Sequence, residues 1–275
     1  MIDLHSHTTC SDGSLTPKEL IQKAKEIGLK AIAITDHDTL SGLKDGKEAA
    51  IESDITFIPG VELEITYPYK GEFHLLGLGL KKNDGALSRA LDELQDYRIE
   101  RNREMIHLLN KDGINISYND LTSIAGGEII ARPHFSRFLV NNGYAKNQNE
   151  AFKKYLTPGC PYFVPKRSLE LKDAINLIHE SEGKAVIAHP QSLYISWSKL
   201  PEILKGYKSL GLDGIEAWHG GNSKKDCTKF EKIASDLKLI VSGGSDYHGL
   251  NIEDRVLGVG AGERSIPDIF LSNFI

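Results

Sequence analysis

The chain has 275 residues, 40% of them hydrophobic and 26% charged, with a formal net charge of -5 and a pI near 6.1. These values suit one elaborated globular domain or a domain with an insertion, and they exclude long disordered stretches and the strongly basic character expected of a protein that grips long nucleic acid. Cys10, Cys160 and Cys227 are odd in number and widely spaced, no apolar run reaches membrane-spanning length, and no leader pattern opens the chain, so a protein of the reducing cytoplasm, with no membrane partner, is expected.

In chain order, short apolar or β-branched runs alternate with amphipathic stretches. Strands are expected at 2–5, 30–35, 55–63, 72–80, 184–189, 214–218 and 238–243, and helices at 16–28, 40–53, 169–182, 200–210 and 222–236. Such alternation predicts a parallel sheet of βα units. The first helix has strong start chemistry, with Thr16 as N-cap, Pro17 in the first helical position and Glu19 in the third. The rhythm breaks over residues 82–165, where ALSRALDELQDYRIERNREMIHLLNKDG reads as one long helix followed by shorter ones. Residues 1–81 and 166–275 are therefore expected to form the main α/β body and 82–165 a mostly helical insertion.

The polar residues gather where the strands end. In an extended MIDLHSH, Ile2 and Leu4 face one way while Asp3, His5 and His7 face the other, so two imidazoles converge. Asp12 follows in the next loop. Asp36 and His37 end the second strand, Glu62 the third, and His74 lies within the fourth. His189 ends the fifth, and Asp246 and His248 follow the last. In parallel α/β architectures the carboxyl ends of the strands build the active site. A lone histidine is often a hydrogen-bonded packing residue, but six of the ten histidines sit at this one end. Imidazoles and carboxylates crowded in this way call for cations among them.

The segments DLHSHTTCSDG, ITDHDT, PGVE, FHLLGLGL, AHP and SDYHG resemble, in order, the successive motifs of the PHP (polymerase and histidinol phosphatase) family. The resemblance implies an α/β fold, a distorted (β/α)7 TIM-like barrel, that holds two or three divalent metal ions and hydrolyses phosphate esters. It implies one metal held by His5, His7, Glu62 and Asp246, a second by Asp12, His37 and His248, and a third by His74 and His189 with Glu62 as a bridge. Mixed nitrogen and oxygen ligands suit manganese, iron(II) or zinc. A metal-bridging hydroxide is the expected nucleophile, so neither Cys10 nor Ser11 is required as one.

Within the family, the ARPH segment (131–134), the RxxR helix (98–101) and FVPK (163–166) most resemble the branch that removes the 3′-phosphate from nucleoside 3′,5′-bisphosphates. That likeness implies Arg98, Arg101, Arg132 and His134 as phosphate-binding residues, with Lys166 a weaker candidate, and His134 as an alternative proton donor to the leaving oxygen. The expected partner is thus a small phosphorylated nucleotide, extending to short oligonucleotides trimmed from the 5′ end. A histidinol-phosphate phosphatase and a noncatalytic phosphate-binding module are the competing readings. Glu216 and His219, after the sixth strand, are expected to cap the following helix rather than support the site, and His107 and His179 to be ordinary surface or packing residues. GVGAG (258–262) lacks the strand and helix that a dinucleotide site needs.

Overall fold

A computed structural model describes residues 1–125, 130–252 and 254–275. In chain order it contains β1 (Ile2–Asp3), α1 (Pro17–Glu26), β2 (Ala31–Ile34), α2 (Leu43–Ser53), β3 (Thr56–Glu64), β4 (His74–Leu78), α3 (Ala86–Lys111), α4 (Tyr118–Ala125), α5 (Arg132–Asn141) and α6 (Gln148–Ala151). A π-helical turn, Phe152–Leu156, precedes α7 (Leu171–Glu180), β5 (Lys184–Ile187), α8 (Leu200–Ser209), β6 (Gly214–His219), α9 (Lys224–Leu237) and β7 (Ile240–Gly244). Contacts divide the chain into two compact units, Met1–Leu91 with Ser168–Ile275, and Asp92–Arg167.

The first unit is the distorted TIM-like barrel. Its seven strands lie in sequence order, and every residue of β2 is buried, as strands covered on both faces must be. Ile2 and Leu4 join Ala33, Leu76, Val186 and Ile266 in its core. The sheet is not parallel throughout: β4 runs antiparallel to both β3 and β5, while the other pairs are parallel. The reason is the short β3–β4 connection, which can only return the chain antiparallel; a parallel neighbour needs a crossover of a dozen or more residues. The sheet nearly closes where Leu4 N–H donates to Gly243 O at 3.1 Å and Asp246 N–H donates to His5 O at 2.9 Å. A Cβ on Gly244 would meet the His5 Cβ at 2.1 Å, so this seam requires glycine.

Buried Asp3 ties the same seam, accepting from Ser245 N at 2.9 Å, Gly258 N at 2.7 Å and the Ser245 hydroxyl. The start of α1 has the expected capping box: Glu19 N–H donates to Thr16 Oγ1 at 3.3 Å and Thr16 N–H to Glu19 Oε2 at 2.8 Å.

The second unit has its own core, in which Met105 and Leu109 of α3 pack with Leu121, Phe135, Leu139 and Leu156. Residues 126–129, within the expected insertion, lie outside the described residues. Among the described residues, no helix is long and apolar enough to cross a membrane.

Candidate metal centre

All nine candidate ligands belong to the barrel unit, and their side chains meet at one rim. His5 and His7 follow β1; Asp12 sits in the loop beyond; His37 follows β2 and pairs in register with Glu62 of β3. Because β4 is antiparallel, its first residue, His74, reaches the rim that the parallel strands reach with their last residues. Buried Asp36 does not join them. It accepts from Thr8 N at 2.7 Å, Thr8 Oγ1 at 2.6 Å and Ser11 Oγ at 2.6 Å, and so shapes the loop that carries Asp12.

One group comprises His5, His7, Glu62 and Asp246. The two Nε2 atoms are 3.1 Å apart, each lies 3.2 Å from Glu62 Oε2, and each lies 3.4 Å from Asp246 Oδ1. Donor atoms placed tetrahedrally at 2.0–2.2 Å from one ion stand about 3.3–3.6 Å apart, so these spacings fit a shared cation. A second group comprises His7, Asp12, His37 and His248, with His248 Nε2 3.3 Å from Asp12 Oδ1. A third joins His37, Glu62 and His74. His189 Nε2 stands 3.0 Å from Glu62 Oε1 and 3.3 Å from His74 Nδ1. Compared with the sets implied by the resemblance, His7 thus also faces the second group and His37 the third.

Two observations favour a cation over a hydrogen-bonded cluster. Among the described residues, the buried Glu62 Oε2 and His7 Nδ1 have no hydrogen-bond partner, although such atoms are rarely left unpaired. The tautomers also agree. Nδ1 of His248 faces the carbonyl of Asp246 at 2.8 Å, and Nδ1 of His5 faces the Glu216 carboxylate at 3.0 Å. Ser192 Oγ donates to Glu72 O at 2.8 Å and so accepts from His189 Nδ1 at 2.9 Å. In all three histidines the proton is on Nδ1, and the Nε2 lone pair points to the centre, as a metal ligand requires.

Burial opposes charge on these groups, but their mutual fields overcome it. The imidazoles of His5, His37 and His74 hold the Glu62 carboxyl well below its ordinary range despite its burial. Asp246 is held low in the same way, by His5, His219 and His7 against its burial. Burial would lower His74, yet Glu62 raises it to about 9, whereas burial dominates at His37 and pushes it down to about 3. The backbone is strained at two of these positions: His189 has φ 26° and Asp246 φ 59°, both in the left-handed region that disfavours side chains. Such strain costs of order 1–3 kcal/mol per residue and is retained where geometry matters.

Glu216 and His219 do not cap the next helix. That role falls to Ser223, whose hydroxyl accepts from Asp226 N. Glu216 instead accepts from His5 and from His189 N–H at 2.7 Å. His219 Nδ1 accepts from Gly221 N at 3.1 Å, which leaves its Nε2–H facing Asp246 Oδ2 at 3.4 Å. The cap expectation failed because a helix start is read locally, whereas His5, His189 and Asp246, which these side chains engage, lie 27 or more residues away along the chain. Sequence reading also missed Arg255. It lines the roughly 470 Å³ pocket with His189, Asp246 and His248; its Nε lies 3.8 Å from Asp246 Oδ2, and among the described residues that atom has no hydrogen-bond partner.

The expected phosphate-binding residues belong to the second unit. Arg101 is buried and donates from Nη2 to Asn102 Oδ1 at 2.7 Å. Arg132 opens α5, and His134 Nδ1 accepts from Ala131 N at 3.0 Å, which places its proton on Nε2. Arg98 is half-buried and Lys166 exposed. His107 and His179 are exposed, and His179 pairs with Asp213 at 2.7 Å.

Clustered imidazoles and carboxylates at the rim of a TIM-like barrel have the donor set of a metal-dependent hydrolase. Residues 3–159 match the PHP domain family, and the chain belongs to that family. It is 36% identical to the 3′,5′-nucleoside bisphosphate phosphatase of Chromobacterium violaceum over 258 residues, 94% of this chain and 90% of that protein. It is 34% identical to a 5′-3′ exoribonuclease of Haemophilus influenzae over 246 residues, 90% and 89% of the two chains. A solved structure from Bifidobacterium adolescentis, assigned as a metal-dependent phosphoesterase, superposes with a TM-score of 0.82 at 28% identity, covering 99% of this chain and 94% of that one.

Proposed function

We propose that this hydrolase removes the 3′-phosphate from nucleoside 3′,5′-bisphosphates. The observation that carries the reading is that three potential metal-binding groups are joined through shared residues, His7 in the first and second and Glu62 in the first and third, and that each contributes side chains to the lining of one pocket. His5, His7, Glu62 and Asp246 would hold one ion, Asp12, His37 and His248 a second, and His74 and His189 with Glu62 a third, from manganese, iron or zinc. Bound divalent ions neutralise the phosphate, lower the pKa of water and stabilise the leaving oxygen.

The chain's own residues do the rest. Glu216 and Ser192 set the tautomers of His5 and His189, and the His219 Nε2–H steadies Asp246. Arg255, with charge at the pocket wall and a donor left over, takes a non-bridging oxygen of the 3′-phosphate. The second unit serves substrate recognition: Arg98, Arg101 and Arg132 bind the 5′-phosphate, and the His134 Nε2–H donates a hydrogen bond to the departing 3′-oxygen as it takes on charge. Bidentate guanidinium contacts suit a second phosphate. The similarity to the bisphosphate phosphatase of Chromobacterium violaceum supports this choice over histidinol phosphate.

The test is phosphate release, with manganese added, from adenosine 3′,5′-bisphosphate beside adenosine 3′-monophosphate and histidinol phosphate. A strong preference for the bisphosphate is expected. Equal use of the 3′-monophosphate removes the second-phosphate receptor from the reading, and preference for histidinol phosphate overturns it.

A further inference from the structure

Next to the metal pocket, in the same unit, lies a second cavity of about 820 Å³, a volume typical of small-molecule sites. Tyr67, Tyr69, Tyr194 and Tyr207 line it, and its charged side chains are Lys70 and Lys199. Among the described residues no carboxylate lines it, a local reversal of sign in a chain of net charge -5.

The rings are held ready. Tyr67 and Tyr207 both rest on the buried Phe73 ring, with centroids 5.7 and 5.4 Å away, and the Tyr67 hydroxyl donates to Leu193 O at 2.7 Å. Tyr69 and Tyr194 are 74% and 71% exposed, a large aromatic area to leave in water at one place. Gly71 has φ 117°, and a Cβ there would meet Ser192 O at 2.2 Å and Tyr194 Cδ2 at 2.8 Å, so glycine is what lets this loop lie against Tyr194. Lys70 Nζ stands 5.5 Å from the Tyr194 ring centroid, which puts a cation beside the platform. Tyrosine faces suit a planar apolar group, and two ammonium groups without a lining carboxylate suit a negative charge carried on it.

The turn from His189 to Tyr194 is the wall between the two cavities: Ser192 lines the first, Leu193 the second and Tyr194 both. Its two ends are left-handed, with φ 26° at His189 and 49° at Tyr194. Ser192 ties it together, donating its N–H to His189 O at 2.9 Å and accepting from His189 Nδ1 at 2.9 Å. Ser192 O in turn accepts from Glu72 N at 3.0 Å, in the loop that carries Tyr69 and Lys70. We infer that the second cavity is an effector site for a small planar aromatic anion, and that its occupant strengthens metal binding through His189. A ring stacked on Tyr194 favours the form of the turn that sets His189 against Ser192, so ligand and metal each favour the other's binding. The inference rests on the reading of His189 as a metal ligand and holds whichever phosphate ester the metal pocket takes.

Tyr69, Lys70 and Lys199 line the second cavity and not the first, so they are the positions to vary. Anilinonaphthalene sulfonate reports occupancy by its fluorescence on the full chain, and naphthoate and the neutral naphthylmethanol compete with it. Wild type is expected to bind the reporter and to prefer naphthoate over the alcohol about 3-fold, a preference lost when Lys70→Gln and Lys199→Gln are combined. Tyr69→Ala is expected to raise the reporter and naphthoate Kd about 10-fold with an unchanged circular dichroism spectrum. Saturating adenosine 5′-monophosphate and phosphate, with manganese present, should leave the reporter bound; displacement would make the cavity part of the substrate pocket and overturn the inference. Coupling is read by calorimetric titration of manganese into chelator-treated protein. Saturating naphthoate is expected to lower the manganese Kd about 5-fold in wild type but not in Ser192→Ala, which keeps its reporter binding. The inference is overturned by absent reporter binding in wild type, constants unchanged in Tyr69→Ala, or equal competition by acid and alcohol. A manganese Kd indifferent to naphthoate, or the same gain in Ser192→Ala, overturns it as well. If wild type binds no manganese, the reading of His189 as a ligand fails instead, and the reporter still decides whether the cavity takes an aromatic anion.

Discussion

Glu216 accepts the Nδ1–H of His5 at 3.0 Å, with both side chains fully buried, and its other oxygen accepts the backbone N–H of His189 at 2.7 Å. One carboxylate thus orients candidate ligands from two strands without facing the centre itself. Outer partners of this kind govern metal affinity by about 10–100-fold. Glu216→Gln, which keeps the volume and removes the charge, is expected to weaken manganese binding by that range, read by calorimetric titration of the chelated protein. An unchanged affinity would remove Glu216 from the metal centre.

Replacing a residue of the central groups acts on the reaction directly. Asp246→Asn or His37→Ala should lower kcat at least about 10²-fold, since the metals supply several kcal/mol of charge stabilisation. Circular dichroism should show the fold retained. A variant that keeps wild-type turnover with full metal content would show that its residue is not needed for the chemistry.

Arg255 gives a sharper test, because charge alone and fork geometry separate. Arg255→Ala is expected to lower kcat/KM for phosphate esters by about 10–100-fold, the worth of one or two charge-assisted bonds, and Arg255→Lys to recover only part of it. Full recovery by lysine would mean that Arg255 acts as a point charge and not as a bidentate clamp.

Metal removal should be visible in stability. An ion that binds only the folded state at 100 times its Kd adds about 2.7 kcal/mol. Chelation should lower the melting temperature by several degrees, and manganese should restore it, while Asp246→Asn should show a smaller difference between the two conditions. Identical melting curves with and without metal would argue against occupancy of the centre.

The seam of the barrel offers a prediction away from the chemistry. Asp3→Ala leaves Ser245 N and Gly258 N without their buried acceptor. Each such loss costs about 1–3 kcal/mol, so a destabilisation of about 3 kcal/mol is expected in denaturant unfolding. A loss below about 1 kcal/mol would show that water or a local shift replaces the carboxylate.

The cysteines should differ in reactivity. Burial pushes the Cys227 thiol up to about 11, and it is 1% exposed, whereas Cys10 and Cys160 are half-buried. Iodoacetamide at mild alkaline pH is expected to label Cys10 and Cys160 and to spare Cys227 until the protein is denatured, as peptide mass mapping would show.

Much of this protein is local and therefore legible along the chain. The capping box at Thr16 and Glu19 needs four residues, the apolar run of β2 another four, and the alternation of Ile2 and Leu4 against His5 and His7 needs one extended segment. Each is determined by backbone geometry and burial over a short stretch, so the alternating α/β class and the crowding of histidines at strand ends follow from sequence alone. Strand direction is different. Nothing within EFHLLGLGL says that β4 runs backwards, and only that reversal brings His74, at the start of its strand, beside Glu62.

The roles of Glu216, His219 and Arg255 were likewise decided by tertiary structure. Their partners are remote in sequence, and a carboxylate in a strand or an arginine in a loop has the same local pattern whether it faces water or a cation site. What a residue is follows from the chain; what it faces is settled when the sheet closes and distant side chains must share one desolvated volume.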